Sequence, residues 1–468
     1  MKRNNTMKWI GGAAMIFTGL GLFSCSSDEI DAPKGGADLD SYITLSITAP
    51  ETRADDQEEG SEPENSIANN SMSVFFIGDD NSVAFTISGE TPVKTATGYT
   101  LRHKMKASEF AQIVKGKSLR VVVTANQNLT SLQSIDQPFA YSSIIAYGQN
   151  GVNVPMVSTT PSGKIAFDAD AKEIEKKFVQ ADESSTVYDL SANGFGTIEL
   201  ERNLSRIDYK DKDNNPVANV YALANTGLYL KVTGLLPVNV HNASYLFKHT
   251  SPDANQNVWV NDIDWTEKTA ALTSGKGYID GKFINATGQN GDLSNYSFTD
   301  VAALTSNNIL AKDGIYHPWV YVSENTLPSV EAMIEGLSTG VVFRVMLCKN
   351  AQGEAWKAGD AQVAEANIDA AAKTITVRGS QRNLIADAGN LYLDYYYWIR
   401  HENNNDPNEM GPMEFGVVRN TIYKLSIKSF NSLPRVYDPN DPDELPQAAV
   451  EVNVRVTPWG YFRIPADI

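Results

Sequence analysis

The sequence predicts an all-β protein made of antiparallel β-sandwich domains with a few short helices. Apolar runs of five to eight residues recur along the chain and are separated by Asn, Ser, Gly and Pro, the residues that favour turns. At 42% hydrophobic, the 468 residues can bury a sizeable core. Segments with the apolar spacing of a helix are few and short, which favours sheets over helical bundles.

The charge balance and the cysteine count exclude several classes of protein. The chain has 39 Lys+Arg and 56 Asp+Glu, a net charge of −17, whereas a nucleic-acid-binding face needs concentrated Lys and Arg. Two cysteines are too few for a disulfide framework or a cysteine-based zinc site. No complete phosphate-loop, zincin or Gly-x-Ser-x-Gly pattern is present. We therefore expect no enzyme activity, no cofactor, no metal and no nucleic-acid partner.

The first 25 residues have the pattern of a bacterial lipoprotein signal. Basic residues precede an apolar stretch at residues 10–23, which is shorter than the about 20 residues needed to span a bilayer. Ser24 and Cys25 follow, where a lipobox places its cleavage site and its acylated cysteine. Residues 1–24 are therefore predicted to be a lipoprotein signal peptide and Cys25 the lipid attachment site. The alternative is a plain secretory signal with an incidental cysteine.

An alternating strand follows the signal peptide and a polar tether. Residues 42–48 place Ile43, Leu45 and Ile47 on one side of an extended chain and Thr or Ser on the other. This period of two, made of β-preferring residues, is typical of a strand with one buried face. Because an isolated strand is not stable, we expect residues 42–48 to need partners in a sheet.

The segment just after this strand offers a site for proteolysis. Arg53 stands in a Pro-containing stretch ahead of an acidic tract at residues 55–64, which is expected to be solvated and accessible. A trypsin-like protease could therefore cut the bond between Arg53 and Ala54. An exposed arginine is also an ordinary surface residue, so this pattern alone leaves both interpretations open.

The later strands fall into two halves followed by an extension. The polar stretch at residues 248–256 is the best candidate boundary between domains. It predicts an N-terminal β-sandwich domain at residues 54–250 and a C-terminal β-sandwich domain at residues 251–436. Residues 437–468 then form an extension with a composition of its own.

This C-terminal extension combines a linker with a second alternating strand. Residues 437–446 are acidic and Pro-rich, so we expect them to be stiff, extended and not packed. After them, apolar and polar positions alternate as far as Thr457, and Pro458 allows a second short strand to follow. The predicted apolar residues of the extension are Val450, Val452, Val454, Val456, Trp459, Phe462 and Ile464.

The two terminal strands together suggest polymerisation by strand donation. If proteolysis at Arg53 removes the first strand, the core opens a groove that the C-terminal strand of another copy can fill. Such a contact is head-to-tail and does not close, so it builds a filament. The hypothesis also predicts that, before the cut, residues 42–48 are paired in the sheet and the C-terminal tail is loose. The alternative is that both strands complete the sandwiches of their own chain.

Several stretches resemble Bacteroidales fimbrillins, in particular the shaft (major structural) subunit of the short, or minor, fimbriae. The most specific is residues 410–427, MGPMEFGVVRNTIYKLSI, which follows the aromatic run YYYWIRHE at 395–402. Weaker matches are YVSENT at 321–326, LERNLSRI at 200–207 and the terminal valine-rich strand ending in Pro-Trp. Together these stretches extend, thinly in the middle, over most of the chain.

The resemblance implies two tandem transthyretin-like β-sandwich domains and a C-terminal donor strand. In this family a lipoprotein precursor reaches the outer membrane, a trypsin-like protease cuts after an arginine, and the subunits polymerise into a cell-surface fimbria. Arg53 and Ala54 match that cut, which would remove residues 25–53 as a propeptide. The implied partners are identical subunits, anchor and tip subunits, the protease and a transient lipid anchor. A cleavable arginine together with a donor-like tail favours the shaft role.

A second class of function stays open: a monomeric, surface-anchored lipoprotein that binds glycans. Such a protein would keep its lipid, remain uncut and retain its last strand in its own domain. The aromatic residues 395–398 could then stack on a sugar, although burial in a strand is favoured. Asp438, Asn440 and Asp443 carry the oxygen ligands that calcium prefers, but the prolines between them disfavour the flexible loop of such sites.

Overall fold

The structure is a computed structural model of the chain. It describes residues 39–459 except for residues 50–61, 96–97, 128, 130–131, 134–138, 141–144, 147–152, 160–161, 213–218, 241–242, 245–248, 253–257, 262–292, 294–295, 307–308, 312, 328–329, 412 and 445–447. The predicted signal peptide, Cys25, the cleavage site at Arg53 and Ala54, and the predicted donor residues Phe462 and Ile464 lie outside the described residues.

Strands dominate the described residues, and the helices are short. The helices are α1 (Glu62–Asn65), α2 (Ala107–Val114), α3 (Ala171–Glu175) and α4 (Val301–Ser306), with further helical turns at Ser191–Phe195 and Val330–Ala332. The strands are β1 (Asp40–Thr48), β2 (Met72–Ile77), β3 (Val83–Glu90), β4 (Val93–Thr95), β5 (Gly98–Lys104), β6 (Ser118–Ala125), β7 (Phe139–Ala140), β8 (Ile145–Ala146), β9 (Met156–Ser158), β10 (Ile165–Ala166), β11 (Val179–Gln180), β12 (Ser185–Asp189), β13 (Ile198–Arg202), β14 (Leu204–Lys210), β15 (Val220–Ala222), β16 (Tyr229–Val238), β17 (Ala243–Ser244), β18 (His249–Pro252), β19 (Val258–Asn261), β20 (Thr299–Asp300), β21 (His317–Ser323), β22 (Gly340–Cys348), β23 (Ala366–Asp369), β24 (Thr374–Val377), β25 (Ser380–Asn383), β26 (Ile385–Asp387), β27 (Asn390–Trp398), β28 (Thr421–Phe430) and β29 (Val450–Pro458). No described helix has the length and hydropathy needed to cross a bilayer.

The first sheet and the first hydrophobic core come from the N-terminal part of the described chain. The sheet has the strand order β11-β12-β1-β13-β9-β6-β2-β3, with β4, β5 and β10 paired beside this series. The helices α2 and α3 contribute Phe110 and Ile174 to the same core. At the start of α3 the side chain of Asp170 accepts a hydrogen bond from Lys172 N at 2.9 Å, which caps the helix.

Two further sheets enclose the second hydrophobic core. One has the order β29-β28-β14-β21-β8, and the other has the order β15-β16-β22-β27-β26 with β20 paired to β16. Tyr423 on β28 packs in the same cluster as Phe343 on β22 and Leu393 on β27. The two sheets therefore pack face to face as a β-sandwich.

The chain passes from the first core to the second at Asn203. Leu200 on β13 belongs to the first core, and Ile207 on β14 belongs to the second. Because Asn203 is the only residue between these two strands, no polar linker marks the change of core. The predicted boundary at residues 250 and 251 lies further along the chain, where the structure is only partly described.

The terminal strands meet one prediction and contradict another. The all-β class is confirmed, and residues 42–48 lie paired in β1, as their alternation predicts. The prediction of a loose C-terminal tail is wrong for this structure, because β29 pairs antiparallel with β28 of its own chain from Thr421 opposite Pro458 to Phe430 opposite Val450. The physical reason is that this pairing satisfies the backbone hydrogen bonds along one edge of β29 and shields part of its valine face from water.

Shortening one core side chain of β1 tests how far the first sheet depends on this strand. We expect Leu45→Ala to lower the free energy of unfolding of the uncut chain by roughly 2–5 kcal/mol, because Leu45 is fully buried. Urea denaturation followed by tryptophan fluorescence measures the change. Ser46→Ala, on the opposite and partly exposed face of β1, is the control. Equal stability of both variants would show that β1 is not part of the cooperative core.

Candidate functional site

β1 is an interior strand of the first sheet. Along one side it pairs antiparallel with β5, from Tyr42 opposite Lys104 to Ile47 opposite Tyr99. Along its other side it pairs parallel with β12 and then with β13. Removing β1 would therefore leave β5, β12 and β13 each without a partner on the side that β1 occupies.

The apolar face of β1 fills part of the first core. Ile43, Leu45 and Ile47 are all buried there, and fully burying three such side chains contributes roughly 5–9 kcal/mol, at about 1.5–3 kcal/mol each. Gly98 lets β5 begin close to the end of β1, since a Cβ at this position would lie 2.3 Å from Ile47 O. The site of β1 is thus a groove shaped for an extended chain with apolar residues at every second position.

β29 is an edge strand, and its valine face is only partly covered. Among the described strands it pairs with β28 alone. Val450 is buried in the second core, whereas Val452, Val454 and Val456 pack against that core but remain partly exposed. The alternation of the strand is as predicted, and its outer edge presents backbone N–H and C=O groups that another strand can pair with.

β1 and β29 match each other in length and in pattern. Each has nine residues, and each carries apolar side chains at every second position. They differ in their surroundings, because β1 has neighbours on both sides whereas β29 has one. A strand with the pattern of β29 placed in the groove of β1 would therefore gain a second ladder of hydrogen bonds and deeper burial of its valines.

The acidic linker before β29 packs against the protein, which contradicts the prediction that it stays free. Asp443 in this linker is buried. The backbone N–H of Glu335 donates to Asp441 O at 2.9 Å, and that of Gly336 donates to Pro439 O at 3.0 Å. Proline lacks a backbone donor but keeps its carbonyl acceptor, so a Pro-rich segment can satisfy the donors of a neighbouring loop.

Two carboxyl groups are buried where the linker packs. Burial raises the pKa of Glu335 to about 7, although Asp438 N–H and the positive charge of Arg435 oppose the shift. Burial also raises the pKa of Asp443 well above its usual range, and Ser338 Oγ donates a hydrogen bond to this carboxyl group. Deprotonation of these groups therefore works against the packing of the linker.

The candidate ligand-binding residues are largely engaged within the protein itself. Asp438 Oδ1 accepts a hydrogen bond from Asn440 N at 3.0 Å. Across the part of the chain that the structure describes, no group of three or more His, Cys, Asp or Glu side chains is placed to hold a metal ion. Of the aromatic run, Tyr395 and Trp398 are buried, and the ring of Tyr396 stacks on a ring of the linker.

A cluster of buried charged residues joins the two ends of the described chain at the change of core. Arg202, at the end of β13, donates from Nε to Glu64 O at 3.1 Å and from Nη1 to Trp459 O at 2.6 Å. It also donates to the side chain of Asn65. Its guanidinium carbon lies 4.7 Å from the ring of Trp459, within the range of a cation–π contact. Burial lowers the pKa of Arg202 to about 9.

The side chain of Glu64 on α1 is held from two further sides. Arg206 Nη1 donates to Glu64 Oε1 at 3.0 Å, and Tyr321 OH donates to the same oxygen at 2.7 Å. Arg206 is also paired with Asp208 at 2.7 Å. The ring of Tyr321 stacks on Trp459 with centroids 5.7 Å apart and an angle of 4°. Arg202 and Tyr321 therefore each contact both α1 and the end of the C-terminal strand.

Sequence reasoning did not identify the members of this cluster. The stretch containing Arg202 and Arg206 stood out only for its resemblance to a family, and Glu64 lay in a tract expected to be solvated. One signal was available: Arg206 and Asp208 carry opposite charges and lie two positions apart, a spacing that places them on the same face of a strand, where they can pair. Nothing local in the sequence indicates that Glu64 joins it.

The buried carboxyl of Glu335 predicts a pH dependence of stability. Because its pKa in the folded protein is about 7 and its ordinary value is 4.5, its contribution is fully present below about pH 4.5 and is lost as the pH rises through about 7. We expect Glu335→Gln to raise the free energy of unfolding at pH 8 by up to about 3 kcal/mol and to change it little at pH 4. Urea denaturation at both pH values measures this, with the exposed Glu402→Gln as control. Identical pH profiles of Glu335→Gln and the unmodified protein would contradict the assignment.

Among the comparisons with known proteins, one family model matches the C-terminal part of the chain. Residues 389–463 match the family model described as "Major fimbrial subunit protein type IV, Fimbrillin, C-terminal". This match covers β27, β28 and β29, which are the strands around the linker and the tail. No curated protein sequence matches the chain.

Solved structures of several proteins align with the chain at low identity. A fimbrilin (fimA) from Porphyromonas gingivalis W83 is 13% identical, with a TM-score of 0.42, and the alignment covers 91% of this chain and 99% of that one. A putative cell adhesion protein from Parabacteroides distasonis is 14% identical, with a TM-score of 0.41 and coverages of 90% and 97%. The tip fimbrial protein Mfa3 from Porphyromonas gingivalis, with a C-terminal truncation, is 11% identical, with a TM-score of 0.35 and coverages of 90% and 100%.

The family match agrees with the resemblance seen in the sequence. It includes the whole stretch at 410–427 and the valine-rich strand, which carried that resemblance. It does not distinguish a shaft subunit from a minor subunit. Residues 389–463 therefore match the C-terminal model of the fimbrillin family of type IV major fimbrial subunit proteins.

Proposed function

We propose that this chain is the shaft subunit of a cell-surface fimbria. In this proposal the precursor is exported as a lipoprotein acylated at Cys25 and anchored in the outer membrane. A trypsin-like protease cuts between Arg53 and Ala54 and so releases the segment that contains β1. The subunits then polymerise head-to-tail by strand donation and support adhesion, with anchor and tip subunits at the ends of the fibre. The fimbrillin match at residues 389–463 supports this role.

One observation carries the proposal: a removable interior strand and a donor-like edge strand of equal length occur in the same chain. β1 is the first described element, and the next one, α1, begins after Arg53. A cut at Arg53 would therefore separate β1 from the chain and leave every other described element intact. The groove left behind has ladder partners on both sides, and β29 carries the alternating valines that fit it. In its own chain β29 forms one hydrogen-bond ladder, with β28, whereas in the groove of a neighbouring subunit it would form two. Its transfer to that groove is therefore favoured once β1 has been removed.

The proposal includes a step that the sequence did not anticipate. Since β29 pairs with β28 in its own chain, it must leave that sheet before it can enter a neighbour. Leaving the sheet costs free energy, because the hydrogen bonds between β28 and β29 break and the partly buried valines become exposed to water. It is offset in the neighbour by the burial that β1 provided. The contact joins two different surfaces and therefore propagates as a filament.

The pairing of β29 with β28 of its own chain also favours a second candidate function, a monomeric surface-anchored lipoprotein that binds glycans. In that case the C-terminal strand stays where it lies, the lipid at Cys25 persists and Arg53 is not cut. The two candidates differ in the N-terminus and in the size of the material found on the cell surface. They can therefore be separated by chemistry at the N-terminus alone.

Changing Arg53 tests the maturation step on which the fimbrial role depends. In a bacterium that exports and assembles the full chain, we expect sheared surface material to consist of polymers that begin at Ala54. Arg53→Ala should abolish these polymers and leave a lipid-blocked Cys25, because a trypsin-like protease needs a basic residue before the cut. Lys34→Ala, which changes the nearest upstream basic residue, should assemble normally.

N-terminal sequencing and gel electrophoresis of the sheared fraction provide the readout. Normal polymers of Arg53→Ala, or an unmodified protein that remains monomeric with a lipid at Cys25, would contradict the shaft role. The second of these results would favour the glycan-binding candidate.

A further inference from the structure

One buried arginine contacts both α1 and the end of the C-terminal strand. Arg202 donates hydrogen bonds to Glu64 O and Trp459 O, and it lies over the Trp459 ring. Residues 64 and 459 are separated by almost the whole described chain, yet they share this one side chain. The helix α1, which makes the N-terminal contact, begins only eight residues after Ala54, the residue expected to follow the cut.

A second residue makes the same double contact independently. The hydroxyl of Tyr321 donates to Glu64 Oε1, and its ring stacks on Trp459. Trp459 is completely buried, and its backbone N–H donates to Asn420 O at 2.9 Å. The end of β29 is therefore held by two side chains, each of which α1 also helps to position.

The rest of β29 is held less firmly than its end. The strand has one neighbour, and three of its four valines are partly exposed. Edge strands separate from a sheet most readily from their ends, where hydrogen bonds are fewest. The buried indole of Trp459, the residue directly after the strand, blocks this route at the C-terminal end.

We propose that Glu64, Arg202, Tyr321 and Trp459, which we call the terminal clasp, form an autoinhibitory contact that keeps the C-terminal strand in its own sheet. The hold of the clasp depends on α1, because α1 positions the two side chains that grip Trp459. A displacement of α1 after proteolysis upstream of it would therefore loosen the C-terminal strand. The link to assembly rests on the proposed function, whereas the coupling between α1 and β29 does not.

Amide hydrogen exchange on the full, uncut chain tests this coupling without requiring polymerisation. The variant Glu64→Gln keeps the backbone oxygen that Arg202 binds but removes the charge that Arg206 and Tyr321 hold. We expect exchange of the amides at 450–457 to become at least about tenfold faster in this variant. Exchange in β22, at the centre of the second sandwich, should stay as in the unmodified protein.

A matched control removes a buried ion pair elsewhere. Asp394 on β27 is buried and pairs with Arg344 on the neighbouring strand β22 at 2.8 Å. Both strands lie in the sheet of the second sandwich that does not contain β29, and the ion pair involves neither α1 nor Trp459. Asp394→Asn should therefore leave exchange at 450–457 as in the unmodified protein, although it changes the ion pair on β22. Equal acceleration in both variants, or equal acceleration of β22 and β29 in Glu64→Gln, would show general loss of stability and overturn the clasp.

A milder variant keeps the test decisive if Glu64→Gln does not fold. Tyr321→Phe removes only the hydroxyl that binds Glu64 and retains the ring that stacks on Trp459. We expect it to accelerate exchange at 450–457 by a smaller factor, and unchanged exchange would overturn the proposal. If exchange accelerates but the variants polymerise no faster after cleavage, the clasp stands and the strand-donation role fails.

Discussion

The pairing of β1 with strands on both of its sides holds the first sheet together. β5 lies along one side, and β12 and β13 lie along the other. The apolar side chains of β1 complete the core between this sheet and the helices α2 and α3. A strand in such a position cannot be removed without leaving an apolar groove, and an apolar groove flanked by unpaired backbone groups binds extended chains. The proposed assembly therefore depends on where β1 lies more than on any single side chain.

The C-terminal strand occupies the opposite kind of position. β29 lies at the edge of its sheet with a valine face that is only partly covered, yet it is held at both ends. Before it, the acidic linker bonds to the loop at Glu335 and Gly336. After it, Trp459 is buried between Arg202 and Tyr321. Both attachments use buried polar or charged groups, which cost desolvation and therefore hold only while their partners stay in place.

The sequence predicted the parts of this arrangement that follow from local periodicity. The alternation of Ile43, Leu45 and Ile47 and that of the four valines predicted both terminal strands and their buried faces. Alternation sets which face of a strand is buried but does not specify the neighbouring strands. It therefore could not predict that β1 is an interior strand with neighbours on both sides, or that β29 pairs with β28. The acidic linker was expected to be free because its composition is that of solvated segments. Its packing depends on donors in a distant loop that composition does not reveal.

The buried cluster was missed for the same reason. The charge of Glu64 is neutralised by residues more than 130 positions away, and the environment of a charged residue cannot be inferred from its neighbours in sequence. Arg202 on β13 and Arg206 on β14 are both buried. Arginine is mostly found on protein surfaces, so this burial could not be expected from the sequence. No polar stretch marks the change of core at Asn203, because a single residue connects β13 and β14. The sequence-based boundary was placed instead at the polar stretch of residues 248–256.

A disulfide that locks β29 to β28 tests most directly whether the C-terminal strand must leave its own sheet. Ser426 and Asn453 lie opposite each other across these strands, a relation whose geometry allows a disulfide between cysteines. With Ser426→Cys and Asn453→Cys, we expect the oxidised, protease-matured protein to remain monomeric. The same protein should polymerise after reduction. Polymers formed equally well by the oxidised protein would contradict strand donation, because the locked strand cannot enter a neighbour.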